Sequence, residues 1–236
     1  LSSNESALGP SPAAIEAYAR ARTGLHLYPD GSARALREAI AETHGLDPAR
    51  IVCGAGSDEL LQLVTRAYAG PGDNIVQSAH GFLVYKLAAQ GCGAAARMAP
   101  ETNLTADVDA MLALVDDRTR LIFIANPNNP TGTYIDGAAL ARLVDGAPDD
   151  VVIVLDSAYA EYVEALDYDD GAALAGARAN VVMTRTFSKI YGLGGLRLGL
   201  FTPTEAAVVA AFYGLFVGVF VYRTLDLRKI YRVLVE

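Results

Sequence analysis

The sequence predicts an α/β fold, a mostly parallel sheet flanked by helices on both faces. Three observations carry that expectation. Short apolar runs rich in β-branched residues, at 119–125, 151–155 and 181–183, alternate with stretches of helical pattern, as strands buried on both faces do. Polar clusters at 54–59, 126–132, 156–159 and 188–189 each follow a strand candidate directly, where the carboxyl ends of parallel strands gather ligands. Apolar residues make up 52% and charged residues 19% of the 236 residues, so a large core is available and disorder is not expected.

From the start of the chain, Ser11 caps and Pro12 opens a helix over 13–22, a run of mostly good helix formers. Tyr28-Pro-Asp-Gly-Ser32 is a turn, and Ser32 reads as the cap of a second helix that ends near His44. Asp47-Pro48 stops it. A short strand at 51–53 leads through Gly54-Ala-Gly-Ser-Asp-Glu59 into an apolar helix over 60–69. Pro71-Gly-Asp73 turns the chain into a strand at 75–77, and 82–90 is helical. Residues 102–115 read as loop and then helix. After the strand at 119–125, two prolines and a glycine make 126–132 irregular. Residues 138–144 are helical, and strands follow at 151–155 and 181–183. There is no internal repeat or low-complexity tract. From 206 to 222 no residue is charged, but 17 positions fall short of the roughly 20 that a membrane helix needs. That run reads as a buried helix or an exposed adhesive segment.

Net charge is −8 with no long basic run, which argues against a nucleic-acid-binding surface. Cys53 and Cys92 lack metal-type spacing and suit free thiols in a reducing compartment, so no metal is expected. The polar N-terminus shows no signal peptide, and the first residue is not Met, so the natural start is expected upstream.

Lys189 falls just beyond a strand end, with Ser188 before it and Arg197 after a glycine-rich stretch. A lysine so placed can hold a carbonyl cofactor as a Schiff base while Ser188 and Arg197 take a phosphate. It reads equally as a surface lysine beside a turn. Gly56, Ser57 and Asp58 stand at a helix start, where backbone amides bind anions; acids there are also ordinary dipole stabilisers. In 126–132, asparagines held between prolines form a preorganised hydrogen-bonding edge. Asp156 ends a buried strand and needs a partner, either a protonated ring nitrogen or an arginine. Tyr159 can reach the same ligand or pack in the core. Phe82 can stack on a planar ring or be an ordinary buried aromatic. His80 reads as an acid or base or, more commonly for a loop histidine, as structural. Tyr28 reads as a turn aromatic or as a donor to a ligand in a neighbouring subunit.

Three stretches occur in order: Asn126-Pro-Asn-Asn-Pro-Thr-Gly132, Leu155-Asp-Ser-Ala-Tyr-Ala-Glu-Tyr162 and Thr186-Phe-Ser-Lys-Ile-Tyr-Gly-Leu-Gly-Gly-Leu-Arg-Leu-Gly199. With Leu1-Ser-Ser-Asn-Glu-Ser6, Leu8-Gly-Pro-Ser-Pro12, Tyr28-Pro-Asp-Gly-Ser32 and Gly54-Ala-Gly-Ser-Asp-Glu59, the set resembles the fold-type I pyridoxal-phosphate aminotransferases, and within them the histidinol-phosphate branch. The resemblance spans roughly residues 1–199 and is more specific for fold and cofactor than for substrate. It implies pyridoxal 5'-phosphate bound to Lys189, with Asp156 on the pyridine nitrogen, Tyr159 and Asn129 on the ring oxygen and Phe82 stacked on the ring. Gly56, Ser57, Asp58, Ser188 and Arg197 would hold the phosphate, with Tyr28 reaching it from the partner subunit of a homodimer. The implied enzyme is cytoplasmic and, by a ping-pong mechanism in histidine synthesis, moves an amino group between an amino donor and a 2-oxo acid, histidinol phosphate and 2-oxoglutarate.

The implied organisation is an N-terminal arm (1–30), a cofactor-binding large domain (31–200) and an atypical apolar tail (201–236), with the family's small C-terminal domain missing or altered. Ser6 replaces the last asparagine of the family's Asn-Glu-Asn. Beyond Gly199 the likeness stops, so Arg223, Arg228 and Arg232 receive no carboxylate-binding role. Two alternatives stand beside this reading: a decarboxylase of the threonine-phosphate type, and a shortened chain that binds cofactor but turns over little.

Overall fold

The computed structural model describes residues 3–202. Helix α1 (Pro12–Ala21) opens as expected, with Ser11 Oγ accepting from the Ala14 amide and proline in the first turn. None of its residues is buried. Helix α2 (Arg34–His44) corrects one expectation, because it starts from Ala33 and Ser32 gives no cap. The Asp30 carboxylate takes over that role. It accepts from the Ser32 amide at 2.9 Å and from the Arg34 amide at 3.0 Å, and it also holds the Ser32 hydroxyl at 2.8 Å. An aspartate two residues upstream out-competes serine for the local amides, as in other aspartate turns.

The remaining elements follow in chain order: β1 (Val52–Gly54), α3 (Ser57–Tyr68), β2 (Asn74–Ser78), α4 (Leu83–Cys92) and β3 (Ala95–Ala99). Then come a small hairpin of β4 (Glu101–Thr102) and β5 (Thr105–Ala106), α5 (Val108–Ala113), β6 (Thr119–Ala125) and α6 (Gly137–Gly146). Strand β7 (Val152–Asp156), α7 (Ala172–Ala177), β8 (Val181–Thr186) and β9 (Gly199–Thr202) complete the described chain.

One sheet has the order β1-β9-β8-β7-β6-β2-β3. The five strands from β8 to β3 are parallel, and β9 runs antiparallel between β8 and β1. The period of two along each strand splits the apolar residues between two cores. Ile122, Ile124, Ile153, Leu155, Val181 and Met183 face one side and pack with Met111, Leu140, Leu143 and Ala175 of α5, α6 and α7. Leu121, Phe123, Val152, Val154 and Val182 face the other and pack with Leu61, Val64, Tyr85 and Ala89 of α3 and α4. Helix α2 closes a third, smaller core through Ile40, Ala41, Ile51 and Leu200.

Strand β3, the β4–β5 hairpin, α7 and β9 departed from expectation or had none. Strand β3 is alanine-rich and mostly not buried, so it lacks the apolar signature of its neighbours. The β4–β5 hairpin occupies what reads as loop, and β9 is four residues long after a glycine. Of the expected apolar tail, Phe201 and Thr202 belong to β9. The uncharged run 206–222 and Arg223, Arg228 and Arg232 lie outside the described residues. Among the described residues, no helix is long and apolar enough to cross a membrane.

Candidate active site

A cavity of about 840 Å³ opens at the carboxyl ends of β6, β7 and β8, against the start of α3. That placement follows from parallel topology, because each strand ends in a loop on the same edge of the sheet. Of the residues singled out from sequence, Ser57, Asp58, Phe82, Asn129, Asp156, Tyr159, Ser188, Lys189 and Arg197 all line it. Gly56 caps α3 next to Ser57. Tyr28 does not line it and is 98% exposed.

Asp156 is the last residue of β7 and is buried. Its two oxygens accept from hydroxyls, Tyr85 Oη at 2.7 Å and Thr184 Oγ1 at 3.0 Å. Burial pushes its carboxyl above the ordinary value, and the two hydroxyl hydrogen bonds pull part of the way back. Burial likewise raises the Tyr85 phenol well above its usual range, so Tyr85 remains a donor. The result is a desolvated carboxylate on the cavity wall, held by neutral donors.

Lys189 follows β8 by three residues. Its Nζ donates to Ser3 O at 2.9 Å and lies 5.4 Å from the Tyr159 ring centroid. Tyr159 Oη accepts from Asn4 Nδ2 at 3.0 Å. The Ser188 amide donates to Thr186 Oγ1 at 3.1 Å, and that hydroxyl donates to Ser188 Oγ at 3.0 Å, so the turn after β8 is fixed locally.

The start of α3 forms the other wall. Glu59 reaches back to accept from the Ala55 amide at 2.6 Å, while the first amides of any helix have no intrahelical partner and bear partial positive charge. Arg197 stands opposite, 3.8 Å from Asp58 Oδ2, in a solvent-exposed pair of little energetic consequence. Strand β9 is seated directly against this helix start. A side chain at Gly199 would place its Cβ 2.4 Å from the Ser57 nitrogen, which explains glycine there.

Asn129 is presented by a locked loop. The buried Asn126 side chain donates to Ile135 O at 3.1 Å and accepts from the Ile135 amide at 2.9 Å. Asn128 Nδ2 donates to His80 O and to Thr131 Oγ1 at 3.2 and 2.9 Å. His80 itself pairs with Glu101, Nδ1 to Oε2 at 2.8 Å, and does not line the cavity. Phe82 caps α4 and meets Tyr85 edge-on at 5.7 Å.

The sequence reading missed Tyr85 and Thr184, the two residues that hold Asp156. The signal for Tyr85 was its spacing of three from Phe82, which puts both on one helical face. The signal for Thr184 was its alternation with Thr186 on β8. Ser3, Asn4, Glu5 and Ser6 also line the cavity; the resemblance picked out this stretch as a motif but gave none of its residues a place in the site.

Residues 1–216 match the model of the family described as aminotransferase class I and II. The histidinol-phosphate aminotransferase of Rhodospirillum rubrum is 63% identical over 199 residues, 84% of this chain and 54% of that one. Its counterpart in Dinoroseobacter shibae is 60% identical over 199 residues, 84% of this chain and 55% of that one. A crystal structure of histidinol-phosphate aminotransferase from Sinorhizobium meliloti in complex with pyridoxal-5'-phosphate superposes with a TM-score of 0.82 at 30% identity, covering 90% of this chain and 57% of that one. The chain spans about half the length of the curated relatives it matches.

Proposed function

The chain belongs to the class I and II aminotransferases, and from that premise we propose that it carries the cofactor half of a pyridoxal-phosphate-dependent transamination between histidinol phosphate and 2-oxoglutarate. The observation that carries the reading is the presence of Lys189 and the buried Asp156 in one cavity. The names of the relatives support the substrate. The residues fit the cofactor. A desolvated carboxylate whose partners are neutral donors suits a protonated pyridine nitrogen, and a helix start faced by Arg197 and Ser188 suits a phosphate.

When bound, pyridoxal phosphate supplies an electron-withdrawing ring that stabilises charge on the substrate's α-carbon. The protein's part is to hold and to move protons. Asp156 keeps a proton on the ring nitrogen, because its own burial makes a charged partner favourable. Tyr159 and Asn129, which line the cavity, would hydrogen-bond the ring oxygen, and Phe82 would stack on the ring. The amides of Ser57 and Asp58 after Gly56, with Ser188 and Arg197, anchor the phosphate. Lys189 Nζ, freed from the cofactor, would take the proton from the substrate α-carbon.

A homodimer belongs to the same proposal, with Tyr28 reaching the partner's phosphate. Its support is the exposed apolar side of the arm, where Ile15, Tyr18, Leu25, Leu27 and Tyr28 are all at least half exposed. Sedimentation at the monomer mass would overturn it. A cytoplasmic location has the support of the free thiols of Cys53 and Cys92; efficient secretion with both thiols oxidised would count against it. The division into arm (1–30), cofactor domain (31–200) and tail (201–236) is likewise proposed.

The decisive experiment adds pyridoxal phosphate to the purified chain. A visible absorbance band of the lysine-bound cofactor is expected, absent in Lys189→Ala, and histidinol phosphate is expected to discharge it. An unchanged band in Lys189→Ala would sink the assignment of that lysine. A band that no amino donor discharges would leave cofactor binding without transamination.

A further inference from the structure

Residues 3–10 run over the cavity as a strap, seated by three contacts. Lys189 Nζ donates to Ser3 O at 2.9 Å, and Asn4 Nδ2 donates to Tyr159 Oη at 3.0 Å. The third contact is steric. Gly192, at φ 66°, lies so close beneath Gly9 that a Cβ there would stand 2.4 Å from the Gly9 carbonyl. The loop that follows Lys189 therefore carries glycine where the strap crosses it.

We propose that Asn4 is a positioning residue for Tyr159, an inference that rests on the cofactor reading above. A phenol has one proton to give and lone pairs to receive. The Asn4 amide N–H occupies the receiving side of Tyr159 Oη and has no lone pair on that nitrogen to accept in return. The phenol proton is thereby left for the cavity, which Tyr159 and Asn4 both line. A donor oriented before the ligand arrives needs no reorganisation when charge develops on the ring oxygen. Asn4 never touches that oxygen; it acts through the tyrosine. The strap contributes to the electrostatics of the site as well as to its cover, and Ser3 O gives the Lys189 ammonium a resting place when the cavity holds no carbonyl.

Two measurements test the proposal. In the chain without added cofactor, Tyr159→Phe is expected to move the side-chain amide resonance of Asn4 in proton–nitrogen correlation spectra. An unmoved resonance overturns the contact. With pyridoxal phosphate added, the pH midpoint of the absorbance band is expected to rise by roughly half to one unit in Asn4→Ala, about one hydrogen bond's worth. Tyr159→Phe should raise it at least as far, and the double variant no further than Tyr159→Phe alone. Asn4 is exposed, so its truncation is not expected to disturb folding. A midpoint unmoved by Asn4→Ala, or a shift that adds to that of Tyr159→Phe, overturns the role. A chain that gives no band at all overturns the cofactor reading and this role with it, while the resonance measurement still judges the contact by itself.

Discussion

Replacing Tyr85 by phenylalanine removes one oxygen from the wall behind the site and leaves the ring in place. The ring is fully buried, stacks on Phe123 at 4.6 Å and meets Phe82 edge-on at 5.7 Å, so packing survives the change. What is lost is the 2.7 Å hydrogen bond to Asp156 Oδ2. A bond to an ionised group contributes about 1.5–3 kcal/mol and a neutral one about 1 kcal/mol, so the cost depends on whether Asp156 is charged. Burial raises its folded pKa above the ordinary carboxylate value, and the Tyr85 bond lowers it. A carboxyl whose folded pKa is raised contributes stability at pH below the unfolded value and loses it as pH climbs through the folded one. Tyr85→Phe raises the folded pKa further and steepens that loss. The expected destabilisation of the cofactor-free chain is therefore about 2 kcal/mol at neutral pH, shrinking toward about 1 kcal/mol in mild acid. For a chain of this size, 2 kcal/mol corresponds to a fall in Tm of about 4–8 °C. Urea titrations followed by circular dichroism at the two pH values measure the difference. An equal loss at both, or no loss at neutral pH, refutes the argument.

The same carboxylate yields a second expectation. Asp156→Asn removes a buried charge, so the cofactor-free chain should become more stable at neutral pH and its stability should vary less with pH above the ordinary carboxylate range. Its affinity for pyridoxal phosphate should fall by at least about tenfold, or 1.4 kcal/mol; a variant that is both less stable and equally tight in binding contradicts the role given to Asp156. Gly199→Ala would press its Cβ against the Ser57 nitrogen and the Gly56 carbonyl carbon, at 2.4 and 2.5 Å, where backbone must give way. A loss of about 1–3 kcal/mol with weakened cofactor binding is expected, and an unchanged thermal transition would argue that β9 can slide.

The parts of the fold legible in sequence were those buried on both faces. The runs at 119–125, 151–155 and 181–183 are central strands, and central parallel strands announce themselves by unbroken apolar composition. Strand β3 was silent because an edge strand half open to solvent needs no such composition. Site residues were legible where the polypeptide is unusual, such as the proline-flanked asparagines, the strand-ending aspartate and the glycine-rich stretch after Lys189. Tyr85 was not, because a buried tyrosine on an apolar helix looks like core until its hydroxyl partner is known. Asn4 lies 155 residues from its partner Tyr159, a pairing that only the folded chain brings together.

The antiparallel strand β9 also sets an order of events. Val52 pairs with Phe201 and Gly54 with Gly199, so the strand that launches α3 has no sheet neighbour until almost the whole described chain has been made. Strands β2, β6, β7 and β8 can associate during synthesis through successive crossovers, each closing a shorter loop. The helix start beside Ser57, by contrast, is fixed against the sheet only when Gly199 arrives beneath it. A nascent chain released before that point would carry Asp156 on an assembled strand and Lys189 just beyond another, and yet lack a seated start of α3. Ribosome-stalled lengths on either side of Thr202 would separate those two stages.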